Sequence, residues 1–263
     1  LSLVDDNHVL YTTYTKTVEE EGVQYIKFNL PELASGTYSI RFQAVPANQS
    51  ANSLTDSETG ETYFEFNMIS QKSDSANFVV YPEVSDISIH RNVTWNFNET
   101  LYLQNYLITF VGGTYAGKSF TTANTSLDFV SFMDGETEIF IEAGTYTITI
   151  QAIAGVGNVV YATPTQAVVT KLEKPVLKVV DNQITFAWVE NVDRVIIYQN
   201  GEVVDCTITT AGDESNKRVV VSGLNIESGM EYTYTAMLEA SEGYVNSQVS
   251  DALTVKKADT PQN

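Results

Sequence analysis

The chain has 263 residues, room for two or three domains of ordinary size. Its 33 acidic and 14 basic residues leave a net charge of −19, a field that repels phosphate backbones and anionic bilayers and argues against nucleic-acid or membrane partners. A hydrophobic content of 43% argues against disorder, and no apolar run approaches the roughly 18 residues of a spanning helix. Tyr (15) and Phe (12) are abundant, and the polar positions favour Ser, Thr and Asn. Such a mixture fits pleated, half-buried surfaces. The single cysteine, Cys206, permits no internal disulfide.

In chain order, the first apolar stretch is Leu1-Ser-Leu-Val4-Asp-Asp-Asn7. It aligns best with the later Ile196-Ile-Tyr198-Gln-Asn-Gly201, in the middle of a domain, so the first domain is expected to lack its opening strands. The phrase Leu33-Ala-Ser-Gly36-Thr-Tyr38-Ser-Ile40-Arg-Phe42-Gln-Ala44 then joins a glycine turn to a period-two strand. After Tyr63-Phe-Glu-Phe66, the aperiodic stretch 70–76 reads as a linker. Val93-Thr-Trp95-Asn-Phe97 is an alternating strand, followed by Leu107-Ile-Thr-Phe-Val111 and a long hairpin, Gly112-Gly-Thr-Tyr-Ala-Gly117. The stretch 119–135 is extra relative to the other domains.

Ile141-Glu-Ala-Gly144-Thr-Tyr146-Thr-Ile148-Thr-Ile150-Gln-Ala152 repeats the earlier phrase, and Ala167-Val-Val169 leads to a second linker at 170–174. Past Pro175 come Ile184-Thr-Phe186-Ala-Trp188, then Val195-Ile-Ile-Tyr198 before Asn200-Gly201. Asn-Gly is a strong hairpin signal because a type I′ turn needs positive φ at both central residues. Leu224, Gly229-Met-Glu-Tyr232-Thr-Tyr234-Thr-Ala236 and Leu253-Thr-Val255 close the chain. The spacings, 108 residues from Tyr38 to Tyr146 and 86 from Tyr146 to Tyr232, are domain-sized rather than solenoid-sized. Three antiparallel β-sandwiches in tandem follow, at 1–72, 73–170 and 171–263, with Tyr38, Tyr146 and Tyr232 at equivalent crossovers and both tryptophans in the core.

These motifs resemble the fibronectin type III family within the immunoglobulin-like sandwiches. The third domain carries the likeness best, through Pro175, Trp188, Tyr198 and the Leu224…Tyr232-Thr-Tyr234 run, which looks like a tyrosine corner. Tyr244-Val-Asn-Ser247-Gln-Val-Ser250 and Ser53-Leu-Thr-Asp56-Ser57 are similar to phrases of tandem repeats on Gram-positive bacterial surface proteins. The resemblance implies a non-catalytic extracellular or cell-surface module, a spacer or adhesion scaffold whose partners are a glycan or a host or cell-wall protein. It further implies a monomer, arranged as an elongated rod. The alternative is a carbohydrate-binding or accessory region of a larger secreted glycoside hydrolase. Leu1 without an apolar leader reads as the start of a mature or excised fragment. Scarce cysteine favours bacterial export.

Carboxylate pairs of the kind a glycosidase uses are plentiful, as chance supplies them in a chain with 33 acidic residues, and no further catalytic pattern accompanies them. His8 and His90 fall in different domains, beside no repeated acid or nucleophile, and Cys206 has no histidine in its own domain. No phosphate loop or zinc spacing occurs, so neither enzyme nor cofactor is expected. Asp5-Asp6-Asn7, Asp56-Ser57-Glu58, Asp134-Gly135-Glu136 and Asp213-Glu214 read as solvated loops rather than Ca²⁺ sites. Lys118 and Lys178 lie near strands and leave a pilin-like Lys–Asn cross-link as a further reading. Asn48, Asn92, Asn98 and Asn124 head Asn-x-Ser/Thr triplets. For a ligand, the first place to look is Tyr115 on the long hairpin and the neighbouring stretch 119–135, because binding residues favour loops on a rigid scaffold.

Overall fold

The computed structural model describes residues 76–258 throughout and, before them, residues 33–41, 58 and 74 together with the strands named below. The described residues are all β, with no helix, and their contacts divide into two compact units, 1–82 with 156–162 and 83–155 with 163–263.

The first unit contains β1 (Ser2–Asp5), β2 (His8–Tyr11), β3 (Lys16–Glu20), β4 (Val23–Lys27), β5 (Gly36–Arg41), β6 (Asn52–Thr55), β7 (Thr62–Glu65) and β8 (Ala76–Val80). The second unit starts with β9 (Ser85–His90), β10 (Asn92–Asn96), β11 (Leu103–Gly112), β12 (Ser119–Thr122), β13 (Ser126–Leu127), β14 (Ser131–Asp134), β15 (Thr137–Phe140) and β16 (Gly144–Ala154). β17 (Val159–Val160) returns to the first unit. The second then continues through β18 (Thr165–Lys171), β19 (Lys178–Val180), β20 (Gln183–Ala187), β21 (Val192–Gln199), β22 (Glu202–Val203), β23 (Thr207–Ala211), β24 (Arg218–Ser222), β25 (Glu231–Ala240), β26 (Tyr244–Val245) and β27 (Leu253–Lys256).

The first unit forms a sheet in the order β17-β8-β5-β1-β2, with hairpins β3-β4 and β6-β7. Phe78 and Val80 on β8 are buried against Leu33, Tyr38 and Ile40. The Tyr38 ring stacks on its ladder partner Phe78 at 5.5 Å.

The second unit holds two sandwiches. The N-terminal one opposes sheet β13-β10-β9 to sheet β12-β11-β16-β18-β26. Alternation along β11 and β16 turns Tyr106, Ile108 and Phe110 inward opposite Ala152, Ile150 and Ile148. Across the gap, the Trp95 ring of β10 meets Tyr106 edge-on at 5.3 Å. The C-terminal sandwich opposes β19-β20-β24-β23 to β22-β21-β25-β27. Ile184, Phe186, Val219 and Val221 pack there against Ile197, Tyr234, Ala236 and Leu238. Each buried Val, Ile, Leu or Phe among them stabilises by roughly 1.5–3 kcal/mol. The expected hairpin between β21 and β22 turns through Asn200 (φ 52°) and Gly201 (φ 88°).

One strand order recurs. β2-β1-β5-β8, β12-β11-β16-β18 and β22-β21-β25-β27 each surround the strand that carries the tyrosine phrase. The all-β sandwich reading holds, and four details differ from expectation.

The first boundary moves: Ala76, expected in a linker, opens β8, because β8 pairs with β5 and belongs to the first unit; the rest of the first linker lies outside the described residues except Asp74. The second linker is shorter than 170–174, since Thr170 and Lys171 still pair with Thr145 and Gly144.

Trp188 is not a core residue. Trp95 is 3% exposed but Trp188 is 37% exposed, because Phe186 is the last inward residue of β20 and Trp188 lies beyond the strand.

The third equivalent tyrosine is Tyr234, not Tyr232. Tyr38 faces Phe78, Tyr146 faces Val169 and Tyr234 faces Leu253, whereas Tyr232 stands where Gly36 and Gly144 stand in the other two ladders.

Candidate functional site

Tyr115 sits in the hairpin between β11 and β12, and its side chain is half-buried. Its ring stacks on Tyr146 at 5.5 Å and meets Phe110 and Phe132 at 5.5 and 5.6 Å. The hydroxyl donates to Phe140 O at 3.0 Å and accepts from the Glu142 N–H at 3.2 Å. Tyr115 thus ties the hairpin to the chain entering β16, and its polar atom is engaged on both sides.

The stretch 119–135 forms β12, β13 and β14, and its Phe120 and Phe132 stack on each other at 5.4 Å. A groove of about 670 Å³ runs along this stretch, with Leu107, Phe120, Leu127 and Met133 as apolar lining. Glu138, which accepts from the Ser131 hydroxyl at 2.6 Å, edges it.

A second groove, about 740 Å³, surrounds Trp188. Glu190, Glu214 and Ser215 line it, and the Lys217 ammonium lies 3.9 Å from the ring centroid. Its rim is a tight turn in which Asp213 Oδ1 accepts from the Ser215 hydroxyl, at 2.6 Å, and from the Ser215 and Asn216 N–H groups. The Ser215 hydroxyl, first among these bonds, holds the Asp213 carboxyl below the usual carboxylate range.

The other sequence candidates are dispersed. His90 Nε2 lies 3.4 Å from Asp193 Oδ2. Cys206 is half-buried between β22 and β23, and desolvation followed by Asp205 raises its thiol pKa. Lys118 pairs with Asp134 at 2.6 Å on the surface, and Lys178 is exposed on β19. Asp5 lies in β1, His8 in β2 and Glu58 in a turn; Asp6, Asn7, Asp56, Ser57 and Asn48 lie outside the described residues. Asn92 is on β10, while Asn98 and Asn124 lie between strands.

Main-chain hydrogen bonds and ion pairs gather at the seam between the two sandwiches of the second unit. The segment after β25 inserts between the ends of β9 and β18: the Gly243 N–H donates to Ile89 O, Arg91 to Tyr244 O, Asn246 to Arg91 O and Leu172 to Val245 O, at 2.8–3.2 Å. Val245 is fully buried. Beside it Arg194 grips Glu239 with two bonds, at 2.8 and 3.1 Å, and Arg91 approaches the same carboxylate at 3.4 Å. A carboxylate this buried is tolerable because two guanidinium groups compensate its lost hydration. Lys174 reaches Asp251 at 2.8 Å, and the Gln248 amide donates to Ile141 O at 2.9 Å.

The Asn246-Ser247-Gln-Val-Ser250 motif has a local task. β27 pairs with β25 only up to Tyr234–Leu253. Beyond that point, the Ser250 hydroxyl, Ser247 hydroxyl and Asn246 amide oxygen each accept, at 2.9 Å, from the N–H groups of Ala236, Leu238 and Ala240. Side-chain oxygens take the place of a ladder strand, so the buried donors stay satisfied.

Lys171 adjoins this seam and is 3% exposed. Its ammonium donates to Phe129 O at 2.8 Å, and burial lowers its pKa to about 8. Phe129 takes a left-handed φ of 59°, unusual for an aromatic residue, and the lysine pins its carbonyl.

No family model matches the chain, and no curated protein matches it. Among solved structures, the chicken CNTN1 FN1–FN3 domains are 14% identical, over 73% of this chain and 70% of that one, with a TM-score of 0.23. Murine CEACAM1b is 15% identical over 66% of this chain and 96% of that one, at a TM-score of 0.22. A Bacteroides ovatus mixed-linkage glucan utilization locus SGBP-B, solved with a mixed-linkage heptasaccharide, is 13% identical over 67% of this chain and 42% of its own, at 0.20.

Proposed function

We propose that the chain is a non-catalytic extracellular scaffold of three sandwich modules, one around each of the recurrent strand orders, that holds neighbouring elements in fixed register. One observation carries this reading: the seam of the second unit is made of main-chain hydrogen bonds, through the Gly243, Arg91, Asn246 and Leu172 amides, where a flexible linker would leave water. The Arg194–Glu239–Arg91 group and the Lys174–Asp251 pair brace the same seam. Among the described residues, His90 pairs with Asp193, Lys118 pairs with Asp134 and Asp213 closes a tight turn. The strongly acidic composition is compatible with solubility outside a cell.

Amide hydrogen exchange tests the scaffold. The Leu172, Gly243 and Asn246 amides are expected to exchange as slowly as those of β25; exchange at the rate of the exposed 213–216 turn would make the seam a hinge and defeat the reading.

A second reading, a glycan-binding accessory region, is favoured by the exposed Trp188 beside Glu190, Glu214 and Ser215, since an indole and flanking acceptors suit a neutral sugar. Retention of the full chain on insoluble polysaccharide or a glycan array, lost in Trp188→Ala and kept in Tyr115→Ala, would establish it. Loss in Tyr115→Ala alone would move the site to the long hairpin. The scaffold reading expects no retention.

A further inference from the structure

Two strand additions in the molecule follow one rule. Within the first unit β17 runs parallel to β8, with Val159 opposite Val79 and Val160 opposite Val80. The N–H groups of Val79 and Tyr81 donate to Asn158 O and Val160 O, both at 2.9 Å. Within the second unit β26 runs parallel to β18, with Tyr244 opposite Thr170 and Val245 opposite Lys171. Leu172 donates there to Val245 O at 3.2 Å.

The recipient strands are equivalent. Phe78 faces Tyr38 and Val169 faces Tyr146, so Tyr81 and Leu172 occupy the same place. The added strands are equivalent too. Each is the next strand after a tyrosine strand, β16 or β25, and each follows a left-handed glycine, Gly157 (φ 84°) or Gly243 (φ 87°).

β27 is the third recipient strand of this kind. Leu253 faces Tyr234, which puts Thr254 where Val79 and Thr170 stand and Lys256 where Tyr81 and Leu172 stand. Thr233 commits its own backbone to the β21 side: Asn200 N–H donates to Thr233 O at 2.7 Å, and Thr233 N–H donates to Asn200 Oδ1 at 2.9 Å. In an antiparallel ladder, the residue opposite such a position turns its amide outward. Thr254 and Lys256 therefore aim their N–H groups at the outer edge of β27, the terminal strand of the order β22-β21-β25-β27.

We propose that this edge receives, in parallel, an extended segment of another β-sandwich in which a left-handed glycine shortly precedes an aromatic or β-branched residue and a valine. The inference deepens the scaffold reading and rests on it, since it extends the seam to a further module. Lys256 is exposed at this edge, with its backbone on the outer side of β27. Lysine in place of Tyr81 and Leu172 keeps the backbone donor that the pairing uses and discourages indiscriminate strands.

The test titrates the isotope-labelled full chain with the synthetic peptide of residues 241–247, Ser-Glu-Gly-Tyr-Val-Asn-Ser, to millimolar concentration. Saturable NMR shifts are expected at Thr254, Val255 and Lys256, with slowed exchange of the Thr254 and Lys256 amides. Lys256→Pro, a substitution that an edge strand accepts, removes the donor and should weaken binding at least about tenfold. Lys256→Ala keeps the donor and should weaken it no more than about threefold. Absence of saturable shifts at β27, or equal shifts at the edges β12, β19 and β23, overturns the proposal. So does sedimentation showing that the chain alone dimerises through β27, which would make the occupant a second copy. Fast exchange of Gly243 and Asn246 would instead defeat the scaffold reading, so the two failures are distinguishable.

Discussion

The two sandwiches of the second unit close the same topology with different groups. In the N-terminal one, Gly144 takes φ 146°, the Tyr146 ring lies over it, and the Tyr146 hydroxyl donates to Glu142 O at 3.0 Å. β18 then pairs with β16 continuously from Gly144 to Ile150, with the Thr145 and Thr170 hydroxyls bonded to each other across the ladder at 3.1 Å. Tyr38 repeats the device in the first unit, with Gly36 at φ 151° and a 2.8 Å bond to Ala34 O. In the C-terminal sandwich Tyr232 occupies the glycine's place, and the Tyr234 hydroxyl is buried without a protein partner. β27 pairs with β25 over only four positions, and Asn246, Ser247 and Ser250 satisfy the rest. A fold can thus keep its strand order while the hydrogen bonds that hold it pass from tyrosine and backbone to short polar side chains.

The largest expected break in this comparison is the double substitution Ser247→Ala with Ser250→Ala. It strands the buried amides of Leu238 and Ala236, each worth about 1–3 kcal/mol. Urea denaturation should show a loss of roughly 2–6 kcal/mol, and Thr209→Ala on the exposed face of β23 should cost less than about 1 kcal/mol.

Next in size is a pH effect that only the N-terminal sandwich carries, because Lys171 stands where the other has Val255. Its pKa is about 8 when folded and near the ordinary 10.5 when unfolded. Below pH 8 both states hold the proton and the folded state bears the desolvation cost. Between pH 8 and 10.5 only the unfolded state holds it, so stability should rise with pH. The rise should reach roughly 3 kcal/mol. Lys171→Met should flatten that part of the stability–pH curve.

A smaller effect separates the tyrosines. Tyr146→Phe removes a bond and leaves the Glu142 carbonyl to water, so it should cost about 1 kcal/mol. Tyr234→Phe removes a buried hydroxyl with no protein partner, and chemical denaturation should find it neutral or slightly stabilising. A cost above about 1 kcal/mol for Tyr234→Phe would mean that its hydroxyl is satisfied after all, and the contrast between the sandwiches would weaken.

Strand identity and the alternation of core residues were legible in the chain, because an apolar residue at every second position has one face to hide. The Gly-Thr-Tyr phrases and the Asn200-Gly201 turn were legible for the same local reason: backbone conformation depends on the residue and its immediate neighbours. The match of Leu1–Val4 to the strand before Asn200-Gly201 was likewise visible, and β1 takes the place in β2-β1-β5-β8 that β21 takes in β22-β21-β25-β27.

Register and partnership were decided only in three dimensions. Which tyrosine of Tyr232-Thr-Tyr234 enters the core depends on the ladder with β27, and a slip of two residues leaves the alternation unchanged. Whether Trp188 is covered depends on where β20 stops. Tyr115 drew notice as a loop aromatic, but Phe140 and Glu142, which engage its hydroxyl, lie far along the chain. The Tyr244…Ser250 run was visible as a phrase, but its use as a substitute ladder and a seam was not. Hydrogen-bond partners such as Arg91 with Tyr244 and Leu172 with Val245 leave no local periodic trace, and only the folded sheets bring them within about 3.2 Å.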